Sequence, residues 1–193
     1  MSKPLVVGIG GTPKPNSTTE HALKVALAAA ADCGARTSLF GGSYLAQLPL
    51  YLSKESSSAG NDLIEAVRAA DGLIIASPGY HGTISGAVKN AIDYLEETAK
   101  DKRVYLDGLP VGVIVTAFGW QATGGTLATL RSVVHALRGW PTPLGAAINT
   151  SIVKFEGGAC DDAAANAQLT LVGRQVTEFA CRFAEAPADA VCA

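Results

Sequence analysis

The chain has 193 residues, of which 48% are hydrophobic and 17% charged, and its formal net charge is −2. That balance gives one ordinary soluble domain with a sizeable core and excludes disorder. With the basic residues scattered, it also gives no general attraction for nucleic acid or an anionic membrane surface.

No stretch reaches the length of a membrane span, and the apolar run Leu5 to Ile9 is too short for a signal-peptide core, so a cytoplasmic protein is expected. Cys33, Cys160, Cys181 and Cys192 show no CxxC and no metal-type Cys/His spacing. Four reduced thiols are therefore expected in place of a disulfide framework, and no metal site.

PLVVGIG (4 to 10) is a short continuous apolar run, and STTEHALKVALAAAADCG (17 to 34) reads as a helix with Ser17 as cap, Glu20 three residues later and a closing glycine. A second cycle runs from ARTSLF (35 to 40) through a loop containing LPLYL to a helix over 61–70. A third joins GLIIASP (72 to 78) to a helix over 85–100. PVGVIVTAF (110 to 118) leads into a helix over 126–137, and GAAINTSIVKF (145 to 155) into a last helix over 161–184. The segment Ser53 to Gly60 and the tail from Ala186 read as poorly ordered.

Five strands alternating with five helices imply right-handed crossovers and a parallel sheet covered on both faces. Ligands of such sheets gather at the carboxyl ends of the strands, which singles out the loops 10–17, 77–85 and 117–125. The first, GIGGTPKPNSTTE, lacks the Gly-Lys-Ser/Thr of a P-loop. It also puts Pro13 where a dinucleotide fingerprint needs its third glycine. Thr12, Asn16, Ser17, Thr18 and Thr19 can surround a dianion with short neutral donors, while the helix dipole and Lys14 add positive potential; a plain helix cap reads equally well.

In the loop 77–85, Pro78 stiffens the turn, Gly79 and Gly82 leave backbone N–H groups unshielded, and Tyr80 and His81 stand where rings pack beside a flat heterocycle. A packed surface turn is the simpler reading of that segment alone. Ser77, Ser85, His81 and Asp93 lie close in sequence without the GxSxG elbow of a hydrolase. Lys89 and Asp93, four apart on the next helix, read as an exposed ion pair.

SPGYHGTISGAVKNAIDYL, with GGTPKPNST upstream, resembles the NAD(P)H-dependent FMN reductase family of the flavodoxin-like fold. The resemblance implies an α/β three-layer sandwich with a five-stranded parallel sheet in the order 2-1-3-4-5, occupying 1–185 as a single domain before a flexible tail, 186–193. It implies that Ser17, Thr18 and Thr19 hold the FMN phosphate, with Thr12 and Lys14 where members usually carry serine and arginine. Pro78, Gly79, Tyr80, His81 and Gly82 would line the isoalloxazine. Thr83 stands where many members have serine. Ala117 and Gly119 fall in the turn beside the pyrimidine end. In TAFGWQATGGTLA the glycines are displaced, Gly124 and Gly125 are read as opening the helix, and Trp120 with Gln121 projects over the site, toward a partner subunit, or serves only to pack.

The activity so implied is hydride transfer from NADPH or NADH to FMN, then electrons to a small-molecule acceptor: free flavin, a quinone, an azo compound or a metal oxyanion. The flavin carries the chemistry and no catalytic side chain is expected. Implied partners are further copies in a homodimer or homotetramer, and a flavin-dependent monooxygenase receiving reduced FMN. The alternatives are a flavodoxin-like electron carrier, although such carriers tend to be more acidic than this chain, and a non-flavin nucleotide-binding module.

Overall fold

A computed structural model describes residues 3–52 and 58–185. Part of the Ser53 to Gly60 segment and the whole tail 186–193 lie outside the described residues. The chain runs β1 (Leu5–Gly10), α1 (Thr18–Asp32), β2 (Arg36–Phe40), α2 (Gly42–Leu45), α3 (Asn61–Ala69), β3 (Gly72–Tyr80), β4 (Thr83–Ile84) and α4 (Gly86–Asp93). It continues through β5 (Pro110–Ala117), α5 (Trp120–Ala136), β6 (Trp140–Pro141), β7 (Ala146–Asn149), β8 (Phe155–Glu156), β9 (Ala159–Cys160) and α6 (Ala163–Glu185). Short 3-10 turns precede α3 and follow α4.

The parallel sheet has the order β2-β1-β3-β5, and both β6 and β7 pair with β5 on its far side. With β7 in the fifth place, this is the expected 2-1-3-4-5 order. The central strands are mostly apolar, with Ser77 and Thr116 near their carboxyl ends, because helices cover both faces. Side chains alternate between two cores: Val7, Ile9, Ile75, Val113 and Val115 pack toward α3, α4 and α5, and Val6, Ile74 and Ile114 toward α1 and α6. No helix among the described residues is long and apolar enough to cross a membrane. Cys33, Cys160 and Cys181 are free thiols, and Cys192 lies outside the described residues.

Three expected boundaries are corrected. The fifth strand, expected over 145–155, is only β7 (Ala146–Asn149), because the chain turns past Asn149, whose carbonyl accepts from the Ile152 and Val153 amides. Ahead of it a separate two-residue strand, β6, pairs with the start of β5, and the Arg131 guanidinium donates to the Thr142 and Pro143 carbonyls between the two. Phe155 instead enters the β8–β9 hairpin, whose Gly157 and Gly158 both have positive φ. The helix after β5 starts at Trp120, six residues before the expected start, so Gly124 and Gly125 lie inside it. The Gly119 carbonyl accepts from both the amide and the hydroxyl of Thr123, anchoring a first turn that glycine propensity alone argues against. The helix expected over 85–100 is α-helical only through Asp93 and tightens to a 3-10 turn over Tyr94–Thr98. Ser85 caps it by accepting from the Val88 amide, and Lys89 pairs with Asp93 on its exposed side as expected.

Helices α1 and α6 approach so closely that a Cβ on Gly173 would stand 2.1 Å from the Ala26 carbonyl oxygen. The alanine run of α1 makes that approach possible, and α1 is the helix whose N-terminus faces the functional edge. Replacing Gly173 by Ala forces the two backbones apart. We expect a loss of about 1–3 kcal/mol, read as a lower urea midpoint with an unchanged m-value.

Candidate flavin-binding cleft

Strands β1, β3 and β5 end side by side, Gly10 opposite Ala76 and Pro78 opposite Thr116, and β7 ends with Asn149 opposite Ala117. The loops leaving these ends enclose a cleft of about 480 Å³. Its walls are Thr12, Lys14 and Asn16 to Thr19 on one side, Pro78, Gly79 and Tyr80 in the middle, and Thr116, Ala117, Phe118 and Thr150 on the other.

The first wall is a helix N-terminus. The Ser17 hydroxyl oxygen accepts from the Glu20 amide and from the Thr12 amide, each at 3.3 Å, so it caps α1 and closes the loop while its own proton stays free to donate. The amides of Thr18 and Thr19 open the helix and have no intrahelical acceptor. Asn16 takes φ 55°, the left-handed conformation this residue type tolerates, which turns the chain into the helix. Thr19 is buried, and its hydroxyl bonds that of Thr116 at 2.6 Å, tying α1 to β5.

Behind the loop, Glu20 does not return the cap as a capping box would. Its Oε2 accepts from the Gly42 amide at 2.9 Å and its Oε1 meets the Lys24 ammonium at 2.6 Å. Burial pushes this carboxyl up, but the Lys24 ammonium and the amides of Gly42 and Asn16 outweigh it and hold it below the ordinary carboxylate range.

The middle wall is a hairpin. β4 pairs antiparallel with the end of β3, Tyr80 opposite Thr83, and the two residues between them, His81 and Gly82, have φ of 50° and 88°. That is the signature of a type I′ turn. The turn carries His81, Gly82 and Thr83 up and out, so all three are exposed and none lines the cleft, contrary to the sequence expectation. The Ser77 hydroxyl, accepting from the Ser85 amide at 3.0 Å, braces the hairpin from below.

Gly79 does line the cleft, yet its missing side chain faces the other way. A Cβ there would come within 2.8 Å of the Thr126 hydroxyl and 3.0 Å of the Ala117 methyl. Thr126 Oγ1 is itself buried and has no hydrogen-bond partner among the described residues. The third wall is set by Asn149, whose Oδ1 accepts from the Gly119 amide at 2.9 Å and from the Ser151 amide and hydroxyl. Gly119, at φ 107°, is thus consumed by the protein and stands outside the cleft, as does the exposed Trp120.

Sequence reasoning therefore brought Thr12, Lys14, Ser17, Thr18, Thr19, Pro78, Gly79, Tyr80 and Ala117 to one cleft. Asn16, read there as a donor of the first loop, lines it too, while Thr116, Phe118 and Thr150 are wall residues that the sequence reading does not single out. Thr116 was visible as the one hydroxyl in the strand PVGVIVTAF, and Thr150 follows the fifth strand, an edge the ligand rule covers equally.

The sequence profile of the NADPH-dependent FMN reductases matches residues 4–152. The chain belongs to the NADPH-dependent FMN reductase family. An FMN-dependent NADPH-azoreductase of Staphylococcus aureus (strain USA300) is 37% identical over 99 residues, 51% of this chain and 49% of that protein. The chain thus spans about half the length of the curated relatives it matches. Among solved structures, an NADH:FMN oxidoreductase in its apo form superposes with a TM-score of 0.75 at 21% identity, covering 96% of this chain and 93% of that one. A flavodoxin, WrbA-like protein from Agrobacterium tumefaciens does so with a TM-score of 0.65 at 16% identity, covering 94% and 99%. These likenesses show the flavodoxin-like fold.

The donor set of the cleft fits the cofactor of an FMN reductase: neutral hydroxyls and free helix amides for a phosphate, then a flat wall of proline, glycine and aromatic residues for a ring.

Two outcomes follow from the supports behind the walls. Exchanging Thr126 for Val removes an unpaired buried hydroxyl at constant shape, and should leave stability equal or raise it by about 1 kcal/mol in urea unfolding. Glu20 has its folded pKa depressed, so its contribution is present above the unfolded pKa and lost as the pH falls through the folded one. Glu20→Gln should therefore flatten the acid limb of stability against pH, and near neutrality cost about 1–3 kcal/mol by weakening the Lys24 and Gly42 contacts.

Proposed function

We propose that the protein is an FMN-dependent NAD(P)H oxidoreductase that delivers electrons to a small-molecule acceptor. The observation that carries this reading is one cleft that is hydroxyl-rich at a helix N-terminus and flat-walled and apolar at its other end. Among the described residues that line it, hydroxyls, glycine, alanine, proline and aromatic rings dominate, a set suited to binding and orienting. FMN, when bound, supplies hydride acceptance and electron return.

The protein's own part is then positional. The Ser17 and Thr18 hydroxyls and the Thr18 and Thr19 amides receive the phosphate, with Thr12, Asn16 and Lys14 at its rim. Lys14 offers a point charge in place of a bidentate guanidinium, giving weaker directional hold on that phosphate. Pro78, Gly79, Tyr80 and Ala117 pack along the ring, and the exposed amides at the His81–Gly82 apex stand above it.

The Staphylococcus aureus relative, named for azoreduction with NADPH, supports NADPH as donor and an azo compound among the acceptors, beside quinones, free flavin and metal oxyanions. We place the protein in the cytoplasm as a homodimer or homotetramer, with α4 and the segment around Trp120 near the subunit contact. A flavin-dependent monooxygenase receiving reduced FMN is the protein partner of this reading.

Titration of the purified protein with FMN, followed by flavin absorbance and fluorescence, should show saturable binding that Ser17→Ala weakens about tenfold or more, the loss of a hydrogen bond to a charged group. The same variant should lose about 1 kcal/mol of stability with its cap. Anaerobic mixing with NADPH should bleach the bound flavin directly. Absence of bleaching with either NADPH or NADH would overturn the enzyme reading in favour of an electron carrier.

A further inference from the structure

Phe118 has 82% of its surface exposed and yet lines the cleft. An exposed large apolar side chain is ordinary when it rides on a loose loop far from any site. Phe118 does neither. The residue before it, Ala117, is buried in the last position of β5, and its carbonyl accepts from the Thr150 amide at 2.9 Å. In the residue after it, Gly119, the amide is bound by Asn149 and the carbonyl by Thr123. The phenyl ring is held in the open by backbone pinned on both sides.

Its place is set by the sheet. Pro78 and Thr116 are the last register partners of β3 and β5, and Tyr80 and Phe118 each follow two residues further on, Phe118 just past the end of β5. Both line the same cleft, and Tyr80 is 49% exposed. Two aromatic rings therefore stand at the mouth of a pocket whose depth is hydroxylic. Apolar rings left in water at the mouth of a pocket favour a flat apolar guest, by burial and by offset stacking.

We propose that Phe118 determines specificity for planar aromatic electron acceptors, and that Asn149 is the positioning residue that holds it at the cleft mouth. The inference rests on the oxidoreductase reading above. For a quinone the balance is NAD(P)H + H⁺ + quinone → NAD(P)⁺ + hydroquinone: the donor loses a hydride, and the acceptor gains two electrons and two protons, one of them from solvent. For ferricyanide, which has no ring to stack, one NAD(P)H reduces two ions and releases one proton.

Steady-state kinetics of the FMN-saturated protein with menadione and with ferricyanide separates the two classes. The ratio of the menadione KM to the ferricyanide KM should rise about tenfold in Phe118→Ala, with the menadione kcat falling less than threefold. Phe118→Trp should restore the ratio. Asn149→Ala should raise it in the same direction, and Asn149→Asp, which keeps an oxygen acceptor for the Gly119 amide, should return it toward the parent value. An unchanged ratio in Phe118→Ala overturns the inference while the parent's activity leaves the oxidoreductase reading standing. A parent protein inactive with both acceptors overturns both. A parallel rise of both KM values with a drop in sedimentation coefficient makes Phe118 a contact between copies of the chain and overturns the specificity role.

Discussion

Everything at the functional edge depends on the parallel sheet being sealed on both faces. Strands covered by helices must satisfy their amides and carbonyls within the ladder, so β1, β3, β5 and β7 keep a common register and end together. Irregular backbone is then confined to the edge, where water or a ligand meets it. The loops start from positions that the ladder sets: Thr116, near the end of β5, reaches the Thr19 hydroxyl of α1, and Tyr80 and Phe118 follow two residues after the register pair Pro78–Thr116.

The cleft divides its labour between two kinds of support. At the N-terminus of α1, the groups lining the cleft are short and the reinforcement lies behind them, in Glu20, Lys24 and Gly42. At the ring end, the support is a tight hairpin on one side and an asparagine side chain on the other. Both arrangements keep the supporting groups, Glu20 and Asn149, out of the cleft lining itself.

The order of the sheet, the alternation of elements and the capped loop ahead of α1 were legible in the sequence because each rests on local pattern: apolar runs of strand length, a Ser cap three residues before Glu20, and the match to a family signature. The rest turned on backbone geometry and distant packing. His81 followed by Gly82 reads as a ring beside a glycine, but two successive positive φ angles make it a hairpin apex that lifts the ring away from the cleft. Gly124 and Gly125 read as a helix start, yet Thr123 capped on Gly119 begins α5 earlier. At Asn149 only half of the hub has a local signal: its side-chain turn onto Ser151, two residues on, is local, whereas Gly119 meets it only once β5 and β7 are paired.

Gly79 is the position at which pocket shape and helix docking are coupled. Its missing side chain is required by the Thr126 hydroxyl of α5 behind the wall and by the neighbouring Ala117 methyl. The depth of the cleft at that point is therefore fixed by how far α5 can come in against the β3–β4 hairpin. Widening the pocket for a bulkier substrate cannot be achieved by trimming this residue. It has to be done from the far wall, at Phe118 and Thr150, or by re-seating the whole of α5.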